Sequence, residues 1–214
     1  MKDDLIFSLY QKSQTVFSLK EISLLFRQYS YNTLRRRFSY YAKTGKLKKL
    51  RKGIYAKEGY NQYEFAIKLY TPSYISLETV LEKEGVIFQT YSSSFVVSNI
   101  TRTIKADGQE IVYRKLPENV LLNNNGIYEK DNYFLASKER AFSDAVYLYK
   151  NYHFDNLQTL NWEKIMELKP IYENKAFEKR KEFPQISRNF KTFEAFKLQG
   201  RKYLNSIIFG GNSY

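Results

Sequence analysis

The stretch between Asn32 and Lys52 carries the chemistry most easily read from this chain. Asn32, Arg35, Arg36, Ser39, Tyr40 and Lys43 recur at helical spacing, and Lys46, Lys48, Lys49, Arg51 and Lys52 follow directly. Cationic side chains at this density neutralise phosphates, while Asn and Arg one helical turn apart can offer donors and acceptors to base edges. A run of charge usually means only a solvated face. Here no acid interrupts residues 31–52, the charge keeps to one face of the helix, and it continues past the helix end. That combination favours contact with duplex DNA.

Other candidate groups are weaker. Asp107, Glu110 and Lys115 loosely resemble the carboxylates and lysine of a metal-dependent nuclease, but the close carboxylate-x-lysine spacing is missing and Asp107 is better used in a turn. Glu139 and Asp144 lie five apart on an expected helix, so they point in different directions and read as solvated helix charges. His153 stands alone between Tyr152 and Phe154 and reads as a packing or surface residue, and Trp162 as a core anchor. Gly210-Gly211 has no downstream Lys-Ser/Thr, so no phosphate-cradling loop is expected. With no cysteine and one histidine, no metal or cofactor is expected, and nothing points to an enzyme.

The basic residues need a scaffold, and residues 17–56 predict one. Ser18 and Glu21 form an S-x-x-E capping box, with Phe17 and Ile22 placed as a hydrophobic staple. Leu19, Ile22, Leu25 and Phe26 supply the first helix with an apolar stripe. Gln28 to Ser30 is the turn. A second helix runs from about Tyr31 to Thr44 and stops at Gly45, burying Tyr31, Leu34, Phe38, Tyr41 and Ala42. At about 100° per residue, the opposite face carries Asn32, Arg36, Ser39 and Lys43, flanked by Arg35 and Tyr40. Lys46 to Ala56 reads as a hairpin with a basic tip around Arg51-Lys52-Gly53. Residues 3–12 add an opening helix, and Thr15 to Phe17 a short strand. Together these predict a winged helix-turn-helix over residues 1–57.

Charge divides the chain in the same place. Residues 1–57 hold 14 Lys and Arg against three acids, residues 58–162 hold 10 against 13, and residues 163–214 hold 11 against six. Most of the net +13 therefore lies in the first quarter. A basic module joined to a near-neutral body suits a nucleic-acid reader with a second job. The N-terminus lacks an apolar signal segment and no run reaches membrane-spanning length, so the expectation is a cytoplasmic protein with no membrane partner.

The expected fold class is α+β: the winged helix over 1–57, a mixed α/β domain with antiparallel hairpins over 58–160, and a helical extension over 161–214 packed on it. Helices are expected near 62–69 and 76–84, the latter ending at Gly85. Val86–Gln89 and Phe95–Ile100 read as strands. Asp107-Gly108 predicts a hairpin joining 102–106 to 109–116, because both residues accept positive φ. A second hairpin spans 127–129 and 133–135. Ser137 caps a helix over 138–149 with an apolar stripe of Ala141, Phe142, Ala145, Val146 and Tyr149. Arg140 and Asp144 then form an exposed i,i+4 pair, worth only ~0.2–0.5 kcal/mol. Helices are expected over 161–168, 171–182 and 190–199. The body beyond residue 57 is expected to fold alone.

Three stretches carry a resemblance. Residues 19–56 resemble the N-terminal winged helix of the AbiEi family, antitoxins of type IV toxin–antitoxin systems linked to abortive phage infection. Residues 72–88, PSYISLETVLEKEGVIF, are similar to the family segment in which Tyr-Ile-Ser precedes a helix and a Gly-hydrophobic pair; Tyr74 and Ser76 stand there. Residues 135–148, LASKERAFSDAVYL, are similar to its Ala-Ser/Thr-x-Glu-Lys/Arg-Ala-x-x-Asp helix, with Ser137, Glu139, Arg140 and Asp144 at matching places. Arg140 replaces the commoner Lys and Phe142 the commoner Leu. The resemblance covers about residues 17–150 and implies two jobs. The first is repression of its own operon by binding inverted repeats in the promoter. The second is countering a co-encoded nucleotidyltransferase-like toxin through the C-terminal domain, with no tight complex required. Two other readings stay open: a winged-helix transcriptional regulator whose second domain senses a ligand or oligomerises, and a nuclease with a DNA-targeting domain.

Overall fold

A computed structural model describes residues 4–149 and 152–172. The described residues are mixed α+β, with two sheets. The first part runs α1 (Asp4–Gln11), β1 (Val16–Ser18), α2 (Leu19–Leu25), α3 (Tyr31–Lys43), β2 (Lys48–Arg51) and β3 (Ile54–Ala56). The expected capping box of α2 is present, and α3 is capped as well. The Glu21 carboxylate accepts from the Ser18 amide at 3.4 Å, completing the capping box of α2. Ser30 Oγ accepts from the Thr33 amide at 3.2 Å and starts α3. Leu34, Phe38 and Tyr41 bury the inner stripe of α3 against Leu5, Leu9, Phe17, Ile22 and Tyr55. Tyr31, expected inside, is instead exposed, because it occupies the first position of the helix, beyond the reach of that core. The small sheet has order β1-β3-β2, all antiparallel.

The body adds α4 (Gln62–Leu69), β4 (Ser73–Ile75), α5 (Glu78–Lys83), β5 (Ser93–Ser98), β6 (Arg102–Ala106), β7 (Gln109–Lys115), α6 (Glu118–Leu121), β8 (Ile127–Lys130), β9 (Tyr133–Ala136), α7 (Lys138–Leu148) and α8 (Trp162–Tyr172). Its six strands form one sheet of order β6-β7-β5-β4-β9-β8. The two expected hairpins are present, both antiparallel, and the sheet order puts them at its two edges. The β6–β7 turn places Asp107 and Gly108 at φ 51° and 75°, as a two-residue primed turn requires. The middle of the sheet contains parallel pairs, β5 with β7 and β4 with β9.

Several expectations are corrected here. Residues 73–75 form a central strand, buried on both faces, where the sequence predicts only a link between helices. Helix α5 begins at Glu78, after a sharp strand-to-helix turn at Leu77 (φ 55°, ψ −138°). Such a conformation costs a non-glycine residue of order 1–3 kcal/mol and is held here by complete burial of Leu77. Val86–Gln89 is not a strand. The Val86 and Ile87 amides turn back to the Leu81 carbonyl, and the Val86 carbonyl accepts from Asp155 and Asn156. Pro170 lies inside α8 rather than ending it, because Ile171 and Tyr172 are drawn into the core. The rest of the helix expected over 171–182, and the helix expected over 190–199, lie outside the described residues.

The two parts share packing. Val16 and Ala56 belong to the same buried cluster as the central sheet. Glu64 of α4 is fully buried and accepts from both the amide (2.8 Å) and the hydroxyl (2.6 Å) of Thr15. Lys68 donates to Glu21 at 2.6 Å, so the carboxylate that caps α2 also ties it to α4. A cut at residue 57 would strip Glu64 of its donors and uncover apolar surface. The division by charge is therefore not a clean division by packing. Among the described residues no helix is long and apolar enough to cross a membrane.

Candidate nucleic-acid interface

The outer face of α3 is built as its spacing predicts. Asn32, Arg35, Arg36, Ser39, Tyr40 and Lys43 together line one open surface groove of about 660 Å³. With Leu34, Phe38 and Tyr41 turned inward, helix geometry leaves these six on the outside. Arg35, Arg36, Tyr40 and Lys43 are exposed, and among the described residues none of the three cations is paired with an acid. The remaining helix cation, Arg37, does not join them. Its guanidinium stacks 4.4 Å from the centroid of Tyr29 and pins the turn between α2 and α3. A rigid helix with Asn32 and Arg36 one turn apart near its start can present both to base edges.

The β2–β3 hairpin extends this surface. Lys49, Arg51 and Lys52 are exposed at and near its tip, around Gly53 at φ 79°. Lys46 precedes β2, and its carbonyl accepts from Tyr10 Oη at 2.7 Å, which fixes the hairpin base to α1. Lys48 is held by an acid of the body. Its Nζ lies 2.9 Å from Asp107 Oδ2 in the β6–β7 turn. Sequence reading had no means of finding this pair, 59 positions apart.

The residues singled out in the body converge on something different. Helix α7 has no solvent face: Glu139 to Val146 are all buried, between the sheet, α5 and α8. Glu139 and Asp144 are therefore not solvated helix charges. The Glu139 carboxylate accepts from the Asn161 amide at 3.1 Å, fixing the start of α8. Arg140 and Asp144 are both 0% exposed, with Nε 3.3 Å from Oδ1, though not aligned for a hydrogen bond. Asp144 accepts from Tyr172 Oη (2.6 Å), Ser76 Oγ (2.7 Å) and Tyr74 Oη (3.0 Å). Arg140 donates to the Val120 carbonyl (2.7 Å), the Asn125 carbonyl (2.9 Å) and Tyr74 Oη (3.1 Å). Its guanidinium carbon lies 5.5 Å from the ring centroid of Tyr74 and 5.5 Å from that of Tyr172. Burial pushes the Asp144 carboxyl upward, while Arg140 and the three hydroxyls oppose that shift.

Tyr74, Ser76, Arg140, Asp144 and Tyr172 thus form one sealed cross-tie joining β4 and the residue after it to α7 and α8. Ser137 caps α7, its Oγ accepting from the Arg140 amide at 3.1 Å. Gly126 packs directly on this corner, where a Cβ would lie 2.9 Å from Arg140 Cβ. Tyr172 and Gly126 are the members that sequence reading missed. Neither falls in a periodic pattern with the rest, and only packing brings them together.

The nuclease set is not assembled. Asp107 sits in the turn, Glu110 accepts from Ser93 Oγ at 2.6 Å, and Lys115 lies at the far end of β7, opposite Ser98. His153 is exposed on the surface, 3.5 Å from Asp155. Among the described residues no group of three or more His, Asp or Glu gathers where a metal ion could bind. The chain matches no protein-family model and no curated protein sequence.

Proposed function

We propose that residues 1–57 act as a winged helix-turn-helix that reads duplex DNA, with α3 in the major groove and the β2–β3 hairpin as the wing. The observation that carries this reading is the groove lined by Asn32, Arg35, Arg36, Ser39, Tyr40 and Lys43, continued by the exposed wing cations. The order of elements and the acid-free stretch over 31–52 support it.

On this reading the chain is a cytoplasmic DNA-binding antitoxin. It represses its own operon from inverted repeats and counters a co-encoded nucleotidyltransferase-like toxin through the body. The support for that second job is the resemblance at residues 72–88 and 135–148. The structure adds a coherent role for four of the motif residues, Tyr74, Ser76, Arg140 and Asp144, as the cross-tie that shapes the body. They work by holding the fold, so the surface that acts against the toxin lies elsewhere.

The deciding experiment titrates the full chain onto its own promoter and onto a shuffled duplex by fluorescence anisotropy. Arg36→Ala should cost about 1–3 kcal/mol on the promoter and little on the shuffled duplex. An equal loss on both would make Arg36 a phosphate contact. Because the two parts share packing, the jobs are best separated with point variants. The full chain carrying Arg36→Ala should lose repression of a promoter fusion and still rescue growth during toxin expression. Loss of rescue in this folded variant would refute the division into two jobs.

A further inference from the structure

One basic residue of the wing is already occupied by an anion of the protein itself. Lys48 Nζ lies 2.9 Å from Asp107 Oδ2, and Tyr60 Oη donates to that same oxygen at 2.6 Å. Tyr60 Oη in turn accepts from Gln109 Nε2 at 2.8 Å, so the segment between β3 and α4 holds the carboxylate and is itself tied to β7. The Lys48 ammonium also sits 6.0 Å from the Tyr60 ring centroid. The anchoring holds Asp107 ionised: the Tyr60 hydrogen bond, then Lys48, keep its carboxyl below the usual range. Asp107 is presented by a two-residue turn of the primed type, with Asp107 and Gly108 both at positive φ.

We propose that Asp107, a residue outside the DNA-binding part, sets the protein's DNA affinity by keeping Lys48 off the phosphate backbone. The β6–β7 turn acts as a tethered anion whose local concentration no phosphate in free solution matches. The wing therefore meets DNA through Lys49, Arg51 and Lys52, with Lys48 withheld. Any event that lifts the β6–β7 turn away from β2 adds one cation to the interface. The inference rests on the proposed DNA reading and adds a control to it.

The test compares the full chain with Asp107→Asn, Lys48→Gln and the double variant, each titrated by anisotropy onto the promoter duplex over a range of salt. Asn suits the turn because it tolerates positive φ, and its Oδ1 still accepts from Tyr60. Asp107→Asn should bind about two- to fivefold more tightly at low salt and steepen the log–log salt slope by ~0.9, the signature of one added phosphate contact. Lys48→Gln, which leaves the turn untouched, should keep the wild-type slope. Adding Asp107→Asn to Lys48→Gln should leave the slope unchanged. The inference is overturned if Asp107→Asn binds no better than wild type, if Lys48→Gln alone lowers the slope by ~0.9, or if the double variant gains as much as Asp107→Asn alone. Wild-type protein that binds no duplex at low salt overturns the DNA reading as well; binding with no effect of Asp107→Asn overturns this inference alone.

Discussion

Asp144→Ala is expected to destabilise the protein by about 3–5 kcal/mol, the loss typical when one partner of a buried ion pair is removed. The penalty is not the lost attraction alone. Arg140 is completely buried, and its charge would remain without a carboxylate while Tyr74, Ser76 and Tyr172 lose their shared acceptor. Domains are stable by only ~5–15 kcal/mol, so roughly a fifth or more of the total is at stake. Urea unfolding should show a lower midpoint with a similar slope. The double variant Arg140→Met, Asp144→Ala should recover part of the loss, since no unpaired charge is left. Recovery should be incomplete, because the Val120 and Asn125 carbonyls lose their donor. If Asp144→Ala costs less than about 1 kcal/mol, the cross-tie is not what holds α7 and α8 to the sheet. The comparison with ~0.2–0.5 kcal/mol for the same i,i+4 pair on an exposed helix measures what burial does.

Neutralising the wing should have the largest effect on binding. Changing Lys48, Lys49, Arg51 and Lys52 together to Gln should weaken binding to promoter and shuffled duplexes alike, because on the proposed reading the wing meets phosphates rather than base edges. The log–log salt slope should fall by ~2.7, three contacts at ~0.9 each, with Lys48 silent because Asp107 holds it. Between 50 and 200 mM salt that difference alone changes the loss of affinity by on the order of 40-fold. A fall of ~3.6 would instead count Lys48 among the phosphate contacts. An unchanged slope would remove the wing from the interface altogether. The four residues are exposed, so the variant should unfold at nearly the same urea concentration as wild type.

Local rules in the sequence were enough for much of this molecule. The Ser18–Glu21 capping box, the Ser137 cap, the stripe of Leu34, Phe38 and Tyr41, and the Asp107-Gly108 turn each involve residues within a few positions of one another. Their hydrogen bonds and periodicities are decided by neighbours along the chain, so one sequence sufficed to place the outer face of α3. Tertiary structure decided the rest. Strand β4 is too short for any period to show, and it is a strand only because β5 and β9 flank it. Arg140 and Asp144 read as surface charges because an isolated helix with one apolar stripe implies a wet opposite face. That face is dry here because α8 covers it and Tyr172 delivers a hydroxyl to the carboxylate. Lys48 reads as one more wing cation until the fold brings the β6–β7 turn against it. In each case, the partner that sets the energy is far away in sequence, and only packing determines whether a charge faces water, a phosphate or its own counter-ion.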